Sequence, residues 1–183
     1  GGDRIQYDTV EGCVNDVVYN NQGEEPWGSM AFGTSTIRDA GCGPTALAIV
    51  ISTLTGEDVT PQMTAAFAMG NGEYVPGQGT SHSFPSNAAK HWGLSVERVK
   101  RERMDYVVQK LRKGCLAVVI CAENTISGSS GHYIVLTGIT ADGYITIADP
   151  GSRSRTGNLY SPQTIQSYAR SLGEGGIWII GNE

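Results

Sequence analysis

The last seventy residues of this chain are built from short apolar runs that only a sheet accommodates. "CLAVVICA" (115–122), "HYIVLTGI" (132–139) and "YITIAD" (144–149) are rich in Val, Ile, Tyr and Thr, with turn residues between them, and "GIWIIG" (176–181) closes the chain in the same manner. β-branched and aromatic residues at this spacing read as strands. Ahead of Gly114 the pattern is helical. "GPTALAIVISTLTG" places Pro44 in a first turn and Gly56 at the stop, with a broad apolar surface between. Helices are also expected over "TPQMTAAFAMGNG", with Thr60 as cap and Pro61 next, over "PSNAAKHWG", over "RMDYVVQKLRKG" and over "SPQTIQSYARSLG". "CVNDVVYN" and "LSVERV" read as short strands, and "QGEEPWGSMAFG" and "YVPGQGTSHS" as loops. Helices first and strands later give the α+β class with an antiparallel sheet.

The 183 residues are expected to form one domain, with residues 1–15 as an N-terminal extension of it. A formal net charge of −5 argues against nucleic acid as the main partner. The one basic cluster, "VERVKRER", contains two glutamates and reads as a solvated face. No apolar stretch approaches the roughly 20 residues that span a bilayer. Four cysteines leave the redox compartment and any disulfide pairing open. Cys115 and Cys121 read as core thiols, and Cys13 is unassigned.

Cys42 stands between two glycines at the doorstep of the first helix, in "AGCGPTALAIV". A small buried residue fits there, and so does a nucleophile. The thiolate is the reactive form, and a helix N-terminus and a nearby imidazolium both favour it. Gly41 beside it permits a tight turn and close approach of a substrate backbone.

The imidazolium must come from His82, His91 or His132. His82 lies in a polar loop. His91 ends a helix, where a cation is favoured electrostatically. His132 opens a strand, on a firm element beside the glycine-serine stretch "SGSSG". The loop "TADG" joins its strand to the next as a hairpin. If Ile139 pairs with Tyr144, Ile134 faces Asp149, and His132 becomes Asp149's diagonal neighbour on the same face. A carboxylate so placed orients the ring and favours its charged form. Asp142, at the loop tip, reads as a turn residue.

Acyl transfer also requires donors for an oxyanion. The Cys42 N–H is one. A loop amide is the other, with Gln22 in "NNQGEEPWG" as the candidate and Asn20 and Asn21 as neighbours that serve as well.

Together, "NNQGEEPWG", "AGCGPTALAIVISTLTG", "GHYIVLTGI" and "IADPG" resemble the C39-like cysteine peptidases, a branch of the papain-like superfamily. The resemblance runs from about Gln22 through Asp149. It implies a papain-like fold, a helical half carrying the nucleophile packed on an antiparallel sheet. It implies Cys42 as nucleophile, His132 as general base and acid, Asp149 as its orienting group and Gln22 in the oxyanion hole. No cofactor and no metal are implied. The substrate it implies is a peptide, or a peptidoglycan stem peptide, cleaved through a thioester acyl-enzyme. An acyltransferase or transpeptidase using the same dyad is the alternative, as is a non-catalytic binding module on this fold. Peptidase domains that trim bacteriocin leaders carry a glutamine only a few residues before the cysteine. Here Gln22 lies twenty before it, which favours the free-standing members, often bacterial and exported. The expected location is therefore extracellular or in a bacterial cell envelope, its export signal removed, in keeping with a start on "GGDRIQYD". Oligomeric state is not readable. Trp27, Gly41 and Gly131 are expected at the substrate, with Phe32, Tyr74, His82 and Trp92 as further candidates for the cleft.

Overall fold

The computed structural model describes residues 2–128 and 130–182. Ser129, within the glycine-serine stretch, falls outside the described residues, as do both terminal residues. The central helix runs Cys42–Thr55, and its residues from Gly43 to Ser52 are all buried. Gly56 ends it in the left-handed region (φ 78°), donating its N–H to the Ser52 carbonyl. Only glycine takes that φ without a Cβ penalty. The Thr60 hydroxyl accepts from the Met63 N–H and starts Pro61–Gly70. Phe84–His91, Met104–Arg112 and Pro162–Tyr168 are the other longer helices. Two four-residue helices stand in stretches for which no element is expected from the sequence: Ile37–Ala40, capped by Thr36, and Arg153–Thr156, capped by Ser152.

The main sheet has six strands, in the spatial order Leu159–Tyr160, Ile145–Ala148, His132–Ile139, Leu116–Cys121, Ile177–Gly181, Ser95–Val99. Every neighbouring pair is antiparallel. Helices cover both faces, which explains why its strands are continuously apolar rather than alternating. Leu116, Val118, Val135, Trp178 and Ile180 pack toward the central helix, together with Leu47, Ile49 and Ile51. Ala117, Val119, Ile134, Leu136 and Ile177 pack the other way, against Val107, Leu111 and Ile165 of the later helices. Each fully buried Leu, Ile or Val side chain contributes roughly 1.5–3 kcal/mol by leaving water.

The hairpin that carries His132 differs from the expected register. Ile139 pairs with Ile145, not Tyr144, because the loop closes with the Thr140 N–H on the Tyr144 carbonyl. A bulge between Thr146 and Ile147 then shifts the ladder, so that Ile147 pairs with Leu136 and Ala148 with Val135. The Thr137 and Thr146 hydroxyls bond each other at 2.7 Å beside it.

The first fifteen residues, set apart above as an extension, are tied to this hairpin. Asp3–Gln6 pairs antiparallel with Asp16–Tyr19. The Tyr7 hydroxyl donates to the Ile147 carbonyl at 2.7 Å, and the Val10 N–H to the Ile139 carbonyl at 2.9 Å. All four cysteines are free thiols, Cys121 buried in its strand and Cys115 just ahead of it. Among the described residues, no helix is long and apolar enough to cross a membrane.

Candidate active site

Cys42 is the first residue of the central helix, with Gly41 at its N-cap and no side chain capping that end. The backbone N–H groups of the first turn are thus left to act on the sulfur. Gly41 is buried, and a Cβ there would press on the Ile37 carbonyl oxygen at 2.5 Å. At Gly43 a Cβ would meet the Thr80 hydroxyl at 2.5 Å. The glycines flanking Cys42 are therefore required by how tightly this turn is seated, and they leave the sulfur as the projecting group.

His132 begins its strand opposite Cys121 and is 7% exposed. Its Nε2 lies 2.6 Å from Asp149 Oδ1. The other ring nitrogen, Nδ1, points away from Asp149 and is the one left to act on the Cys42 side chain. Burial pushes the Cys42 thiol up, but the hydrogen bond and charge of His132, with the N–H groups of Tyr133 and Gly43, outweigh it and hold the thiol below its ordinary value. Burial pulls the His132 ring down, but Asp149 and the Cys42 sulfur push it up to about 10. Both shifts favour a thiolate facing an imidazolium.

Asp149 has no exposed surface. Burial alone would favour its neutral form, yet His132, Arg155 and the Gly151 N–H hold it below the usual carboxylate range. The Gly151 N–H donates to Oδ1 at 2.8 Å and Arg155 Nε to Oδ2 at 2.7 Å. Its backbone is pinned too: its N–H donates to the Thr156 hydroxyl, and its carbonyl accepts from the Tyr19 hydroxyl at 2.6 Å. Arg155 and Tyr19 escape a reading of the sequence. The only mark for Arg155 is Ser152 three residues earlier, the cap of its short helix, whose hydroxyl accepts the Arg155 N–H.

Gln22 sits beside this pair. Its backbone N–H donates to the Pro150 carbonyl and its Nε2 to the Arg38 carbonyl, both at 2.8 Å. Gln22 Oε1 and the His132 ring both border the space where a Cβ on Gly151 would stand. Asn21 is occupied locally, its amide donating to Tyr19 and its side-chain oxygen accepting from Gly23. Asn20 is buried.

A cavity of about 780 Å³ opens at Cys42, with Tyr74, Gln78, Thr80, His82 and Gly131 in its walls. Of the residues expected at the substrate, Gly131 borders this cavity. Trp27 does not: it is buried in the core, its Nε1–H donating to the Asn21 carbonyl at 2.8 Å, because an indole buried this deeply needs that acceptor. Phe32 is also fully buried, and Trp92 packs against Phe67 and His91. Tyr74 and His82 do reach the cavity. Among the described residues, no three His, Cys, Asp or Glu side chains gather as a metal site.

The fold is shared with known peptidase domains. The crystal structure of the peptidase domain of Streptococcus ComA, a bi-functional ABC transporter involved in a quorum sensing pathway, is similar with a TM-score of 0.55 and 21% identity, over 79% of this chain and 93% of that one. A double glycine motif protease from an AMS/PCAT transporter, solved in complex with the leader peptide, is similar with a TM-score of 0.54 and 17% identity, over 96% of this chain and 94% of that one. No curated protein matches. The Peptidase_C39 like family model matches residues 14–173, most of the chain, including all four expected site residues. The chain accordingly belongs to the Peptidase_C39 like family and is a cysteine peptidase.

Proposed function

We propose that Cys42, His132, Asp149 and Gln22 carry out hydrolysis of a peptide amide bond through a thioester acyl-enzyme. The observation that supports this most is that Cys42, which lines the cavity, has its thiol lowered by His132, whose ring is held 2.6 Å from Asp149. The Cys42 thiolate attacks the substrate carbonyl carbon, and the C=O electron pair moves onto oxygen. The Cys42 N–H and the second N–H of Gln22 Nε2, the one not given to Arg38, stabilise that oxyanion. His132 Nδ1–H passes its proton to the leaving amine, the C–N bond breaks, and the thioester remains. Water then attacks, Nδ1 takes its proton, and the acid leaves with the thiolate restored. Asp149, locked from three sides, holds the ring's orientation and its positive charge throughout.

A peptide is the substrate favoured here, by analogy with the leader peptide in complex with the double glycine motif protease. A peptidoglycan stem is the second form of the same chemistry, and it goes with an extracellular or envelope location in a bacterium. Incubation of the wild type and Cys42→Ala with a peptide library and with cell-wall fragments tests the proposal. Cleavage by the wild type alone is expected, and the cleaved set assigns the substrate. No cleavage of either, or cleavage that survives Cys42→Ala, overturns it.

A further inference from the structure

Among its described lining residues, the cavity at Cys42 holds one cation that the chemistry above does not use. Arg170 lines it, beside His82, Gly131 and Tyr133. Among the described residues, every other arginine except the exposed Arg112 lies within 4.0 Å of a carboxylate. Arg170 is half-buried, and among the described residues no carboxylate lies within that reach of it. Its one polar side-chain contact among them is from Nη1 to His82 Nε2, at 3.4 Å. Most of the guanidinium's five N–H donors therefore have no acceptor among the described residues.

The backbone that carries the guanidinium is held in place. The Arg170 N–H donates to the Ile120 carbonyl at 2.9 Å, and Ala169 bridges to Cys121. Gly131 lies directly under the guanidinium, which fills the space a Cβ would take there. A fixed cation therefore sits one residue before His132. His82 brings no compensating charge. Burial, Arg170 and Arg98 hold its ring below the ordinary value, so it is neutral at pH 7 and accepts from Arg170. Asp39 and Glu123 line the same cavity, but both are exposed, and neither is paired with Arg170. Water screens those two carboxylates far better than it screens a half-buried guanidinium. A partly desolvated guanidinium without an anion is costly, and a carboxylate satisfies it with two parallel hydrogen bonds.

We infer that Arg170, its Nη1 held by His82, is a carboxylate-binding subsite of this cleft, and that the substrate carries a carboxylate near the scissile bond, on an acidic side chain or at a free C-terminus. The inference rests on reading the cavity as the substrate cleft and names the substrate class within it.

Protection of Cys42 from iodoacetamide tests it. The probes are three acetylated tripeptides with glycine at both ends: one with central glutamate and an amidated C-terminus, one with central glutamine and an amidated C-terminus, and the glutamine peptide with a free C-terminal carboxylate. One or both carboxylate peptides should protect the wild type about tenfold better than the neutral one. Which of them does so identifies the source of the carboxylate. The advantage should vanish in Arg170→Gln and survive in part in Arg170→Lys, with unprotected labelling of Cys42 unchanged in both. Equal protection by all three peptides in the wild type overturns the inference, as does an advantage that persists in Arg170→Gln. Slow labelling of wild-type Cys42 without any peptide would instead count against the catalytic reading, so the two failures are distinguishable.

Discussion

His132 Nε2 and Asp149 Oδ1 are 2.6 Å apart although 17 residues separate them in the chain. The contact fixes which nitrogen faces the sulfur, and it joins the ring to a carboxylate that Arg155 and Gly151 already hold. A proton taken up at Nδ1 is thus matched by a buried negative charge on the far side of the ring.

Asp149→Asn keeps the shape and removes the charge. Cleavage is expected to fall by about 10²–10⁴-fold in kcat, as when the orienting carboxylate of a triad becomes an amide. Asp149→Ala also strands Arg155, and should destabilise the fold by about 3 kcal/mol in urea unfolding. Wild-type kcat in Asp149→Asn would show that the contact is structural.

The pH profile follows from the directions of the two shifts. The Cys42 thiol is lowered, so rapid iodoacetamide labelling should begin below the free-thiol value of about 8.5. His132 is raised to about 10, so the imidazolium persists until pH passes that value. Cleavage requires both forms and should be bell-shaped, with its alkaline limb near 10. In Asp149→Asn the alkaline limb should move to lower pH, because the partner that raises the ring is gone. The same pairing acts on stability. The raised His132 contributes fully below its unfolded value of about 6.5, and this is lost as pH rises through about 10. The lowered Asp149 contributes above about 3.9, and this is lost as pH falls through its depressed value. Equilibrium unfolding across pH measures both edges.

Gln22→Ala separates oxyanion stabilisation from activation of the sulfur. It should lower kcat by about 10²–10³-fold. Iodoacetamide labelling of Cys42 should be unchanged, since alkylation forms no oxyanion. A parallel fall in labelling would mean that Gln22 acts on the thiol.

Glu73 precedes a stretch of the cavity wall. It is 3% exposed and accepts from Asn71, Ser83 and Asn87 at 2.7–2.9 Å, and among the described residues it has no ion-pair partner. Residues Tyr74 to Thr80, which follow it, form a small hairpin in the cavity wall. Glu73→Gln turns an acceptor into a donor that faces other donors. Denaturant unfolding should show a loss of about 1–3 kcal/mol, and KM should rise more than kcat falls.

The strands, the longer helices and the juxtaposition of His132 with Asp149 were legible in the sequence, the last through two deviations that cancel. The turn after Ile139 is one residue longer than expected, and the bulge at Thr146–Ile147 takes that residue out again. One step beyond Ala148 and Val135, Asp149 again faces Ile134. Neither deviation leaves a mark in the sequence, because strands buried on both faces are continuously apolar and carry no alternation for a bulge to interrupt. Trp27 misled for another reason. An aromatic in a polar loop fits a cleft and a core equally, and only the tertiary fold supplies the Asn21 carbonyl that decides. Arg155 lies in "GSRSRTG", where serines and glycine mask a single helical turn. Arg170 lies within "SPQTIQSYARSLG", expected to be helical throughout, yet the helix ends at Tyr168 and the chain is extended from Ala169, where a bridge to Cys121 carries the arginine to the sheet.

Gln22 touches both halves of the molecule, its backbone bound to Pro150 next to Asp149 and its amide bound to Arg38 just ahead of Cys42. The spacing between these two walls is therefore gauged by the length of one glutamine. Asparagine, a methylene shorter, would reach one anchor or the other, and the two walls would lose their common ruler.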